Sequence, residues 1–173
     1  MGSLTLNQAR AVVDACLAKA EEIGSPSSIT VVDDGRELLA FGRVDGALLA
    51  SSAISQAKAY TSRSLSCDTR DVEELAQPGG ALFGLHTAHL AVGKALITFG
   101  GGVLLTVDGA PVGAVGVAGG SPAQDHEIAA AGAAALGACH DRPAPAGRQA
   151  GSDDRWSRQH RPGVRRAHGS PRR

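Results

Sequence analysis

Aromatic residues are scarce in this chain, which has three Phe, one Tyr and one Trp among its 173 residues. Its three cysteines, Cys16, Cys67 and Cys139, show no CxxC spacing, which favours a reducing compartment over a disulfide framework. No apolar run approaches the roughly 18 residues of a membrane span, and no signal-like segment opens the chain. We therefore expect a cytoplasmic protein without a membrane partner.

Charge is balanced in total but divided unevenly along the chain. Residues 1–138 carry eight Lys or Arg against fourteen Asp or Glu, whereas residues 139–173 carry nine Arg against three Asp. The acidic part predicts one folded domain without nucleic acid as its partner. The basic part is an Arg/Pro-rich tail without Leu, Ile, Phe or Met, and this composition predicts disorder.

The beginning of the domain predicts a helix followed by a β-hairpin. Thr5 and Gln8 match a capping box, and apolar residues recur at helical spacing up to Gly24. The β-rich runs 29–32 and 38–41 flank an Asp-Gly turn, which is typical of a hairpin.

The remaining patterns predict three helices and three strands. The helices are expected at 50–65, 69–76 and 122–138, and the strands at 96–99, 103–107 and 112–117. The predicted class is α+β, with a largely antiparallel sheet of about five strands and the order α-ββ-α-α-βββ-α. Hairpin connections favour this class over a doubly wound fold.

Several sequence blocks occur in the order typical of one known family. They are LTLNQARAVVDACLAKAEEIG, VVDDGRELLAFGRVDGA, AKAYTS, ELAQPGG, FGGG, GAVGVAGG and QDHEIAAAG. Together they resemble the GlcG/HbpS-like family, also called the haem-degrading domain family. The resemblance implies haem as a cofactor, haem degradation or iron handling in some members, and a homo-oligomer. A related module is fused to some cobalamin adenosyltransferases.

Two histidines stand three residues apart, at His86 and His89. On a helix this spacing places both imidazoles on one face, where they suit a metal or an acid–base role. We predict His86, which follows the Pro78–Gly80 loop, as the haem iron ligand and as a candidate catalytic residue. A pair of surface or packing histidines is the alternative.

Polar side chains inside the family-like blocks are further candidates. Arg43 and Lys58 suit an anionic ligand, Asp45 and Lys58 suit proton transfer, and Tyr60 suits ligand binding. The alternative is that Arg43 pairs with Asp45 in a turn while Lys58 is solvated.

The ligand pocket is predicted between the 78–89 segment and a triple glycine. Gly100, Gly101 and Gly102 allow a close approach of the backbone to a flat ligand, and Phe83 offers apolar contact. Asp125 lies in a family-like block and is predicted to face a pocket or an interface.

Taken with the resemblance, these residues predict a haem- or tetrapyrrole-binding protein, with haem degradation as one activity open to it. A small-molecule enzyme acting on a carboxylated metabolite, in a catabolic or biosynthetic pathway, is the alternative. A non-catalytic assembly protein is a third reading.

Overall fold

The first helix begins where its capping box predicts. In the computed structural model, which describes residues 3–140, helix α1 spans Leu6–Glu22. The Thr5 hydroxyl accepts from the Gln8 amide, and the Gln8 side chain accepts from the Thr5 amide. One face of α1 is buried, through Ala9, Val12, Val13, Cys16 and Ala20.

Four antiparallel strands form the sheet of the described residues. They are β1 (Ser28–Asp33), β2 (Leu38–Arg43), β3 (Gly102–Val107) and β4 (Ala110–Ala118), in the spatial order β2-β1-β4-β3. Tight turns join β1 to β2 and β3 to β4, as the Asp-Gly pairs predict. Strand β2 therefore forms one edge of the sheet.

Helices cover both faces of this sheet. Helices α1 and α3 (Pro122–His140) pack on one face, where they enclose an apolar core that includes Ile29 and Val31 of β1. Helix α2 (Ser51–Leu65) packs on the other face, chiefly against β4 and β1. The contact of α2 with β1 is polar, because the hydroxyls of Thr30 and Ser55 lie 2.8 Å apart.

The prediction of a fifth strand is wrong. Residues 96–99 do not join the sheet, because their polar groups bind side chains instead. The Ile97 amide donates to the Thr61 hydroxyl at 2.9 Å, and the Phe99 carbonyl accepts from the Thr69 hydroxyl at 2.7 Å. The α+β class and the antiparallel pairing are confirmed, with the order α-ββ-α-ββ-α for the long elements.

Short 3₁₀ turns occupy the chain between α2 and β3. The predicted helix over 69–76 is replaced by turns at Thr69–Val72 and Glu74–Ala76, and two more lie at Leu85–Thr87 and Leu90–Val92. No helix in the part of the chain that the structure describes is both long and apolar enough to cross a membrane.

Candidate functional site

Helix α2 carries polar side chains into two different surroundings. Lys58 points to the end of β4 and the start of α3, where it forms a buried ion pair. Tyr60 faces a cleft between α2 and the β1–β2 hairpin. The two places are called here the buried pair and the Tyr60 cleft.

The buried pair consists of Lys58 and Asp125. Their side chains are 0% and 4% exposed, and the Lys58 Nζ lies 2.6 Å from the Asp125 Oδ2. The Lys58 ammonium also donates to the Val117 carbonyl at 3.0 Å and lies 4.8 Å from the centre of the Phe99 ring. Every side of the ammonium is therefore occupied by protein.

Gly101 and Gly102 of the triple glycine close over this pair. Gly101 has a φ of +120°, and a Cβ at this position would lie 2.6 Å from the Lys58 Nζ and 2.8 Å from the Asp125 Cβ. A Cβ on Gly102 would lie equally close to the Lys58 carbonyl. The close approach of the glycine backbone thus serves a protein ion pair, since its missing side chains leave room for Lys58 and Asp125.

Burial lowers the pKa of Lys58, and this effect outweighs the opposing hydrogen bond to Asp125. The second oxygen of Asp125 accepts from the Gly120 amide at 2.9 Å, so both carboxylate oxygens have partners. A satisfied and buried pair of this kind holds α2, β4 and α3 together. Its ammonium and both of its carboxylate oxygens are engaged by protein partners.

The Tyr60 cleft has a volume of about 360 Å³ and opens to solvent. Thr30 and Val32 of β1 form its floor, and small or polar residues of α2 form one wall. The remaining lining residues come from β2, the hairpin turn and the segment before residue 96: Arg36, Glu37, Leu38, Gly93, Lys94 and Ala95. This volume is within the range of small-molecule sites.

Three basic side chains surround Tyr60. The Arg36 guanidinium donates to the Tyr60 hydroxyl at 3.3 Å and lies 5.1 Å from the ring centre. The Lys94 ammonium lies 5.5 Å from the same ring. The His89 ring meets the Tyr60 ring edge-on at 5.8 Å, and its Nδ1 lies 3.3 Å from the Tyr60 hydroxyl. One end of the cleft is therefore aromatic and basic.

The structure brings some of the predicted site residues together and separates others. Lys58, Asp125, Gly101 and Gly102 meet at the buried pair, whereas Gly100 lies against Pro122 and His126. Tyr60 lies in the cleft. The Arg43 guanidinium donates to the Ala47 carbonyl at 2.6 Å, and Asp45 is exposed in the following turn.

Phe83 and His86 lie on the surface. Phe83 is 62% exposed in a turn, and His86 is exposed in the 3₁₀ turn that follows. Neither lines the Tyr60 cleft. His89 does not line the cleft either, but it is half-buried and its ring contacts Tyr60.

Arg36 and Lys94 are the cleft residues that sequence reasoning missed. Arg36 stands in what reads as an ordinary hairpin turn, and Lys94 lies in a segment without a recognised family block. The sequence carried no signal for Arg36. Its φ of +70°, a conformation that turns more often give to Gly or Asn, is visible only in the folded chain.

Residues 4–134 match the family described as haem degrading protein HbpS-like. The chain belongs to this family. The resemblance of its sequence blocks is thereby confirmed over nearly all the residues that carry it.

Two curated relatives illustrate the range of the family. An uncharacterized 15.0 kDa protein from the dhaT-dhaS intergenic region of Citrobacter freundii is 38% identical over 129 residues, which cover 75% of this chain and 89% of the relative. The corrinoid adenosyltransferase PduO of Salmonella typhimurium is 36% identical over 135 residues, which cover 78% of this chain and 39% of PduO. This chain thus matches a minor part of PduO.

A solved structure of a PduOC:haem complex has the same fold. It is 31% identical to this chain with a TM-score of 0.71, and the match covers 78% of this chain and 95% of that one.

Proposed function

We propose that this protein binds haem or a closely related tetrapyrrole in the Tyr60 cleft. The observation that carries the proposal is a cleft that combines small and apolar side chains with the Tyr60 ring, which His89 contacts edge-on from beside the cleft. Kinship with a protein solved as a haem complex supports the same ligand class.

The walls of the cleft suit the edge of a flat macrocycle. Val32, Leu38, Ala53 and Ala57 line it, and these side chains are small or apolar. Phe41 pairs with Thr30 across the β1–β2 ladder, so it lies on the same face of the sheet as the cleft floor. Leu38 and Phe41 are 55% and 42% exposed, which leaves them available to cover a ligand that extends beyond the cleft.

Within this proposal the iron ligand is His89, which lies beside the cleft in contact with Tyr60. A haem iron needs only one or two protein donors, and imidazole is a common one. The Nδ1 of His89 lies beside the Tyr60 hydroxyl, which orients the ring and leaves the other nitrogen for a ligand. Bound haem would supply iron redox chemistry, while Tyr60 and His89 hold and orient it.

Replacing His89 with Ala is expected to weaken haem binding at least tenfold, equivalent to about 1.4 kcal/mol. The loss of an iron ligand should also shift the Soret band. Titration with haemin, followed by absorbance, measures both effects. Tyr60→Phe keeps the ring but removes the hydroxyl beside His89, so a smaller loss is expected.

His86→Ala is the matched control, because it removes the same side chain from the same segment at an exposed position. It should change neither the affinity nor the spectrum. If His86→Ala weakened binding and His89→Ala did not, the iron would be placed at His86 and outside the Tyr60 cleft. A wild-type protein that bound no haemin would refute the proposed function.

A further inference from the structure

We infer that Arg36 and Lys94 recognise free carboxylate groups, so that the ligand of the Tyr60 cleft is a tetrapyrrole bearing carboxylates and not one with amidated side chains. This inference rests on the proposed function and names the ligand class more narrowly. It follows from the charges of the cleft, the backbone at Arg36 and the fixed positions of both cations.

Two cations of the cleft lack an ion-pair partner among the described residues. Residues 1–138 are acidic overall, and Lys19, Lys58 and Arg63 each form an ion pair with a carboxylate. Arg36 and Lys94 form none within the described residues, yet they line the same cleft. Two cations left together in an acidic domain favour an anionic ligand, because the one carboxylate that lines the cleft, Glu37, cannot balance both charges.

The backbone of Arg36 adopts a left-handed conformation. A φ of +70° is costly for any residue with a Cβ. The turn itself requires no arginine, since its hydrogen bonds run between backbone atoms and the Asp33 carboxylate. A side chain kept at a position that favours glycine indicates a role for that side chain, and here it reaches Tyr60.

One aromatic ring contacts both cations. Arg36 and Lys94 each lie within about 5.5 Å of the Tyr60 ring centre, so a single ligand can contact both. Arg36 uses one nitrogen to bind the Tyr60 hydroxyl, which leaves further donors for a two-point contact with a carboxylate. Glu37 is the one acidic residue lining the cleft, so the cations outnumber it.

This arrangement separates two classes of tetrapyrrole. Haem and protoporphyrin carry two propionates, whereas the corrinoid of an adenosyltransferase carries mostly neutral amides. Unpaired cations favour the first class, because an amide cannot neutralise them. A small free dicarboxylate such as glutarate carries the same two carboxylates without the macrocycle. Its binding is therefore measured separately.

The test compares protoporphyrin IX with its dimethyl ester, both dispersed in the same non-ionic detergent and titrated by fluorescence. Neither contains iron, so the comparison is independent of His89 as a metal ligand. The wild-type protein should bind the diacid at least tenfold more tightly than the ester. Arg36→Gln and Lys94→Gln should each lower this ratio several-fold, and the double variant should bring it close to one.

Lys19→Gln is the matched control, since it removes one positive charge from α1, which packs on the opposite face of the sheet. It should leave the ratio unchanged. Arg36→Gly provides a second variant that the turn accepts, so a lowered ratio with intact folding would assign the effect to the lost side chain.

Three results would count against the inference in distinguishable ways. Equal binding of diacid and ester by the wild-type protein overturns the carboxylate role and leaves tetrapyrrole binding standing. If the wild-type protein binds neither porphyrin and no haemin, the carboxylate inference and the proposed function are both overturned. Binding of glutarate as tightly as the diacid porphyrin, with the same dependence on Arg36 and Lys94, supports carboxylate recognition but overturns the macrocycle as its ligand.

Discussion

Replacing Asp125 with Ala is expected to destabilise the domain by about 3–5 kcal/mol, the usual cost of removing one partner from a buried ion pair. Without Asp125, Lys58 must keep a buried charge without a counter-ion or give up its proton, and both states are costly. The Gly120 amide also loses its acceptor. Denaturant unfolding followed by circular dichroism measures the change.

Two further variants identify the cause of that loss. Lys58→Met combined with Asp125→Ala removes both charges, and we expect it to be more stable than Asp125→Ala alone. Glu127→Ala removes a carboxylate from the same helix, where the side chain is exposed and pairs with Lys19, so stability should barely change. A double variant as unstable as Asp125→Ala would mean that packing around residue 125, not the unpaired charge of Lys58, dominates the loss.

The parts of the fold that the sequence predicts are those determined by local interactions. The Thr5–Gln8 capping box marks the start of α1, and the Asp-Gly pairs mark the turns of both hairpins. Each signal depends on residues within a few positions of one another. The family resemblance adds the order of the sequence blocks along the chain. The HbpS-like match over residues 4–134 confirms the family.

The parts that the sequence does not predict depend on contacts between distant residues. The 96–99 run has the composition of a strand, but the Thr61 and Thr69 hydroxyls bind its backbone. A lysine on a helix is normally solvated, and only the fold places Lys58 against Asp125, 67 residues further along the chain. The triple glycine suggested room for a ligand, whereas the space beside Gly101 is filled by that lysine and by Asp125.

The residues of the candidate site also separate into one that the sequence indicates and others that only the fold reveals. Tyr60 was a candidate because it is a polar side chain inside a family-like block, and it lies in the cleft. Its neighbours Arg36 and Lys94 come from a hairpin turn and a loop that are 58 residues apart in number, so no spacing rule links them to Tyr60. Their convergence on one ring can be recognised only in the folded chain.

The second large effect is expected at Gly116, where α2 rests directly on β4. A Cβ at this position would overlap the Ser55 carbonyl oxygen and lie 2.5 Å from the Ala59 backbone nitrogen. Both are backbone atoms, so no side-chain rotation can relieve the overlap. Gly116→Ala is therefore expected to cost about 3 kcal/mol, at the upper end of what overpacking usually costs. In an uncrowded strand the same change would be mildly stabilising.

Gly137→Ala is the control for this substitution. Gly137 lies in α3, and a Cβ there would meet no atom within 4 Å, so helix propensity should stabilise the domain by up to about 1 kcal/mol. The two Gly→Ala changes are thus expected to have opposite signs in thermal or denaturant unfolding. Because α2 also carries Tyr60, its displacement from β4 should weaken haemin binding in Gly116→Ala. A Gly116→Ala protein with wild-type stability and affinity would show that the helix shifts on the sheet at little cost, and that the cleft does not depend on this contact.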